Sequence, residues 1–156
     1  MFRVHRWHAP RWVRGWMTGS TWLGDGWLWW GLAMVLYWRK SQCLPALGLS
    51  ALLSAALYSA VKRLVVRRRP FEIEPHVWSR AKPPDKYSFP SGHTMSAFAV
   101  IAAIIPFHPS LAAPLLFAAA SIGASRVVLG MHYLSDVVAG GAVGAMIGWW
   151  MATVFR

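Results

Sequence analysis

The sequence predicts an all-α fold: a multi-pass transmembrane helix bundle of about five spans plus an N-terminal interfacial amphipathic helix, forming one domain over residues 1–156. Three observations predict it. Of the 156 residues, 56% are hydrophobic and 13% charged, against roughly 25% charged in soluble domains. Two stretches carry no Asp, Glu, Lys or Arg: 21 residues from Ser41 to Val61 and 39 from Tyr87 to Ser125. Both pass the roughly 18 residues that mark a membrane helix. Finally, the 16 Lys and Arg, set against 5 Asp and Glu, crowd between the uncharged runs, where they would meet anionic lipid headgroups or an anionic ligand at the membrane surface. A net charge of +11 divided among loops that spans separate excludes a nucleic-acid binder, which concentrates its charge on one face.

Residues 1–22 form the expected interfacial segment. Arg3, Arg6, Arg11 and Arg14 interleave with Trp7, Trp12 and Trp16, and Pro10 suits the first turn of a helix. No apolar stretch followed by a small-residue cleavage site is present near Met1, so no cleaved signal peptide is expected. The first span is Leu23–Trp38, entered through an aromatic belt of Trp27, Trp29 and Trp30 and closed by Arg39 and Lys40. Asp25, between Gly24 and Gly26, reads as a helix N-cap. The second span is Ser41–Val61, with Pro45 in its tolerant first turn. Cys43, the only cysteine, reads as a helix-packing residue. Pro106 and Pro109 divide the 39-residue run into a helical hairpin, Ser91–Ile105 and Ser110–Ser125. The last span, Leu134–Phe155, carries Gly140, Gly144 and Gly148 at four-residue spacing, a glycine face suited to close helix packing.

Three polar groups interrupt this apolar chain, each at a span end on one and the same side. Lys62, Arg63, Arg67, Arg68 and Arg69 follow the second span. Pro90, Ser91, Gly92, His93 and Thr94 open the third, and Ser125, Arg126, His132 and Asp136 join the fourth and fifth. Even numbers of crossings separate them, so they can converge. Arg and Lys from separate loops suit a phosphate, and the Pro90–Gly92 helix start offers backbone N–H groups to an anion. His132 and Asp136 stand at i and i+4, so the carboxylate can hold one ring nitrogen and leave the other as nucleophile. His93 could then protonate a leaving group.

The three blocks read K-x6-R-P (Lys62, Arg69, Pro70), P-S-G-H (Pro90, Ser91, Gly92, His93) and S-R-x5-H-x3-D (Ser125, Arg126, His132, Asp136). All eleven specified positions match those of the type 2 phosphatidic acid phosphatase (PAP2) family of membrane lipid phosphatases, which this chain resembles and whose site pattern is similar to that of vanadium haloperoxidases. Larger members have six spans; on the count above this chain has one fewer, with its basic Trp-rich N-terminus in that place. The resemblance implies a phosphohistidine on His132, Asp136 orienting it, and His93 as proton donor and then base. It implies a phosphate held by Lys62, Arg69, Arg126, Ser91 and the Gly92 N–H, with no metal and no cofactor.

Other residues read as structural. His5, His8, His76 and His108 are expected to be non-catalytic, Arg63, Arg67 and Arg68 to face headgroups, and Glu72, Glu74 and Asp85 to pair with the loop's excess cations. The expected function is hydrolysis of a membrane lipid phosphate, undecaprenyl diphosphate first, phosphatidic acid or phosphatidylglycerol phosphate next, in a bacterial cytoplasmic (inner) membrane. A non-catalytic transporter or scaffold of the same fold is the alternative; it predicts decay of a motif, and none has decayed. On a five-span count 13 basic residues share the side of the motifs against 3 on the other. The positive-inside rule then points the site to the cytoplasm, whereas resemblance to carrier-lipid phosphatases points it to the periplasmic face, which is preferred. Nothing in the sequence sets the oligomeric state.

Overall fold

The structure, a computed structural model, describes residues 10–73 and 85–156. His5, His8, Glu74 and His76 lie outside the described residues, as do Arg3 and Arg6. The described residues form seven α-helices and no strand: α1 (Arg11–Trp22), α2 (Leu28–Trp38), α3 (Leu44–Val65), α4 (Pro70–Ile73), α5 (Gly92–Ile104), α6 (Ala112–Val128) and α7 (Leu134–Phe155). The last span has its expected bounds, and the second runs on by a turn so that Lys62 sits on the final turn of α3. Among the described residues, three stretches are long and apolar enough to cross a membrane: Leu44–Ile73, Pro109–Val128 and Leu134–Phe155; Gly92–Ile104 is shorter. At about 1.5 Å per residue, α5 reaches only part of the way across a hydrocarbon layer, and it is the enclosed centre of the bundle.

Nine of the residues of α5 are buried, on every face of the helix, as befits an element apolar all round. Its tightest neighbour is α7. The glycine face of α7 lies on the backbone of α5, Gly140 against the Ser91 carbonyl, Gly144 against that of Met95 and Gly148 against that of Ala99. Both ladders advance by four residues, so the two helices run parallel at a separation no Cβ would permit. Elsewhere the helices show large apolar side chains outward, among them Leu52, Leu64, Phe117, Met146 and Trp149. In a membrane protein these meet lipid.

Two N-terminal expectations are corrected. The segment expected in the headgroup plane is, over α1, a helix packed lengthwise on α6. The Trp16 ring meets Phe117 edge-on at 5.7 Å, and Thr21 Oγ1 lies 2.8 Å from Ser125 Oγ. Both pairs advance in the same sense, so α1 climbs beside α6 towards the motif end. The first span is also not one helix from Leu23. A π-helical turn, Leu23–Trp27, contains Gly26 at φ 118°, a conformation natural to glycine. The chain reverses there and returns along α2. At the far end, Ser41 Oγ lies 2.7 Å from His108 Nε2, tying the α2–α3 turn to the tip of the α5–α6 hairpin. Cys43 is fully buried beside it, a packing residue as expected.

Candidate active site

The three polar blocks meet at one end of the bundle, around a cavity of about 560 Å³. Lys62, Arg69, Gly92, His93, Arg126 and His132 all line it, joined by Asp25 and Asp85. A wider, open groove of about 850 Å³ at the opposite end, between Tyr37, Lys40, Gln42 and Phe155, gathers no histidine or acid.

His132 follows α6 on the loop into α7 and is 1% exposed. Its Nδ1 lies 2.6 Å from the Ser88 carbonyl oxygen. A carbonyl only accepts, so Nδ1 carries the proton and Nε2 keeps a lone pair. Nε2 lies 3.4 Å from a terminal nitrogen of Arg69. Burial, reinforced by the charges of Arg126, Arg69 and Lys62, pulls the His132 pKa down to about 4 although Asp136 opposes the shift. At neutral pH the ring is therefore uncharged, the state a nucleophile needs.

Asp136 is fully buried in the first turn of α7. Its Oδ2 is 3.7 Å from His132 Nδ1 and accepts a hydrogen bond from the Tyr133 N–H at 2.9 Å. Its Oδ1 takes a 2.7 Å bond from Arg67. Arg67, expected at the headgroups, thus pairs with a buried acid, its guanidinium 4.0 Å above the Tyr133 ring. The Ser88 carbonyl, not Asp136, is the nearer partner of His132. Ser88 is itself held by its N–H to the Arg67 carbonyl and its hydroxyl to that of Arg68.

The cations are enclosed. Lys62 is 6%, Arg69 1% and Arg126 2% exposed. Asp85 bridges two of them, Oδ2 to Lys62 Nζ and Oδ1 to Arg69, both at 2.7 Å. Burial works to raise the Asp85 carboxyl, but the bonds and charges of Lys62 and Arg69 outweigh it and hold it below the usual carboxylate range. Arg69 also donates to the Met131 carbonyl, and Arg126 to Thr21 Oγ1 at 3.3 Å. The Nε atoms of Arg69 and Arg126 are buried without a partner among the described residues, donors that an anion in the cavity could draw on.

Two expected phosphate ligands are placed differently from each other. Gly92 lines the cavity, with the Tyr58 ring so close that a Cβ would stand 3.2 Å from it. Ser91 is fully buried outside the lining: its N–H donates to the Asp136 carbonyl and its hydroxyl pairs with Thr94. Asp25 caps no helix; its Oδ1 lies 2.6 Å from His93 Nε2. Beside this polar cavity lies an apolar one of about 440 Å³ between α2 and α3, lined by Trp30, Ala33, Leu52 and Val100 and sharing Gly26, Trp29 and Ser96 with it.

The model of the PAP2 superfamily matches residues 44–156. The chain belongs to the PAP2 superfamily. Its relatives include decaprenylphosphoryl-5-phosphoribose phosphatase of Mycobacterium tuberculosis, 36% identical over 125 residues that cover 79% of this chain and 68% of that protein. Lipid A 1-phosphatase of Rhizobium johnstonii is 34% identical over 106 residues, 65% of this chain and 43% of that one. The fold is that of Aquifex aeolicus LpxE, with a TM-score of 0.81 at 24% identity over 97% of this chain and 92% of that one. It is also that of a transmembrane PAP2 type phosphatidylglycerolphosphate phosphatase from Bacillus subtilis, with a TM-score of 0.74, 24% identity, and 95% and 78% covered. The chain is a membrane lipid phosphatase of the PAP2 type.

Proposed function

We propose that the chain hydrolyses a phosphomonoester or diphosphate of a polyprenyl lipid through a phosphohistidine on His132, undecaprenyl diphosphate being the first substrate to test. The observation that carries this is the tautomer of His132: Nδ1–H held by Ser88 leaves Nε2 unprotonated, its lone pair facing Arg69 at 3.4 Å, in a cavity shared with His93. Nε2 attacks phosphorus, the bond to the leaving oxygen breaks, and that oxygen takes a proton from His93. Water then gives a proton to His93 and attacks phosphorus, the P–N bond breaks, and phosphate departs. Lys62, Arg69 and Arg126, with the Gly92 N–H, offset the charge that gathers on the phosphoryl oxygens. The adjoining apolar cavity suits the start of a lipid chain.

The site faces the periplasm in this reading. Because α1 climbs towards the site, Arg11 and Arg14 belong to the opposite end. Leaving out Lys62, Arg69 and Arg126, the described residues put four basic groups at the site end (Arg63, Arg67, Arg68, Lys86) and five at the other (Arg11, Arg14, Arg39, Lys40, Arg156). The positive-inside rule, which opposed an outward site on a five-span count, no longer does.

The test is release of inorganic phosphate by the purified protein from undecaprenyl diphosphate, phosphatidic acid, phosphatidylglycerol phosphate and decaprenylphosphoryl-5-phosphoribose. The first is expected to be fastest, with His132→Ala inactive on all. Parent-rate turnover by His132→Ala would refute the mechanism; preference for a glycerophospholipid would refute the substrate class.

A further inference from the structure

Asp25 stands outside the three motif blocks, yet its carboxylate lies 2.6 Å from His93 Nε2. The turn that carries it is shaped for that approach. A Cβ on Gly24 would stand 2.9 Å from Ile122 and 3.3 Å from the His93 ring, so glycine lets the chain close on both. Gly26, at φ 118°, turns the backbone away immediately after Asp25, and Trp22 and Trp27 stack across the turn at 6.3 Å. The His93 side chain is 16% exposed and that of Asp25 48%. The ring is enclosed while the acid lies open to the cavity.

A carboxylate only accepts, so Nε2 carries a proton and Nδ1 is the nitrogen that exchanges one. Among the described residues, the titratable groups around the ring are the cations Lys62, Arg69 and Arg126, the acids Asp25 and Asp85, neutral His132 and the Tyr58 phenol. Asp85 is held by Lys62 and Arg69, which leaves Asp25 as the acid that offsets a protonated His93 against those cations.

We infer that Asp25 is the positioning residue of His93, an inference that rests on the phosphatase mechanism above. It holds the ring through Nε2–H and favours the doubly protonated form. Nδ1 then gives its proton to the leaving oxygen as the P–O bond breaks, and takes one from water as the P–N bond on His132 is hydrolysed.

The test compares Asp25→Ala and isosteric Asp25→Asn with the parent, on the fastest lipid phosphate of the panel and on p-nitrophenyl phosphate, whose leaving group needs no proton. On the lipid, kcat is expected to fall about 10–100-fold for Asp25→Ala, part of the total a general acid contributes, with KM within about threefold. Asp25→Asn should fall less. On p-nitrophenyl phosphate the loss in kcat/KM, which ends at phosphorylation of His132 and so omits the water step that both substrates share, should stay below about threefold. Equal losses of kcat/KM on both substrates, a loss on the lipid carried by KM, or kcat within twofold of the parent on the lipid would each overturn the inference. His132→Ala, run alongside, separates this from failure of the mechanism itself, since only that failure leaves it active.

Discussion

Substituting Gly144 by Ala should destabilise the bundle far more than alanine at any exposed helical glycine. The added Cβ would fall inside the reach of the Met95 carbonyl, 2.9 Å from its carbon and 3.1 Å from the Ala99 nitrogen. These are backbone atoms of α5 already engaged in its helical hydrogen bonds, so no side chain can swing aside. The helices must part until the contact reaches the ordinary 3.4–4 Å range, which loosens the packing above and below it. Overpacking of this kind costs about 1–3 kcal/mol, and an obstacle made of backbone argues for about 3. Gly48, on α3, is the control: a Cβ there meets nothing within 4 Å, and alanine should gain about 0.5–1 kcal/mol of helix propensity. The expected gap between the two variants is therefore about 3–4 kcal/mol, on the order of 10 °C in Tm for a chain of this length. Thermal unfolding in detergent, followed by tryptophan fluorescence, measures it. If Gly144→Ala melts within about 2 °C of Gly48→Ala, the close approach of α5 and α7 is wrong.

His132 ties stability to pH. Its folded pKa of about 4 lies below the unfolded value of 6.5, so above pH 6.5 nothing is lost, while from there down to about 4 the unfolded chain takes up a proton that the folded one refuses. That should remove about 3 kcal/mol, seen as a falling Tm, and His132→Gln should flatten the fall. EDTA should leave phosphate release unchanged and vanadate should inhibit it, since vanadate imitates five-coordinate phosphorus; strict dependence on added magnesium would count against the residue roles proposed. Orientation is testable from the exposed Gln42 at the far end, because buried Cys43 will not report it: with Gln42→Cys in a Cys43→Ala background, a membrane-impermeant maleimide should label only permeabilised cells. Labelling of intact spheroplasts would turn the site to the cytoplasm.

The legible part of this molecule was what depends on spacing along the chain. The motif blocks fixed which span ends must converge, and the four-residue glycine period of α7 foretold a close helix contact, though not that α5 would make it. Illegible were partners that lie far apart in sequence. Ser88 holds His132 across 44 residues, Arg67 holds Asp136 across 69, and Asp25 meets His93 across 68. Composition also reads alike for a Trp-Arg helix in the headgroup plane and one packed on α6; only Trp16 on Phe117 and Thr21 on Ser125 decide it. For Asp25 a signal was present. A lone acid between two glycines, in 22 otherwise uncharged residues from Met17 to Trp38, costs too much in a span to be only a cap and is by default functional.

The same geometry joins the scaffold to the chemistry. His93 opens α5, His132 lies on the loop just before α7 and Asp136 in its first turn, so their relative positions are set by how closely those two helices lie. The Ser91 N–H bond to the Asp136 carbonyl, at 3.1 Å, fastens the two starts together, and Gly140 admits the Ser91 carbonyl at a place where a Cβ would stand 2.7 Å from it. An alanine at Gly140 therefore moves His93 relative to His132 by pushing on Ser91 at the start of α5, although it touches neither ring. Catalytic geometry that slips by about an ångström can cost about 100-fold in rate. Gly140→Ala should then lose activity out of proportion to its Tm, whereas Gly148→Ala, two turns farther from the site and against Ala99, should lose stability with activity largely kept in the fraction that remains folded. Measuring kcat per folded molecule for the two variants separates these effects. Equal residual kcat would mean that the glycine face serves packing alone.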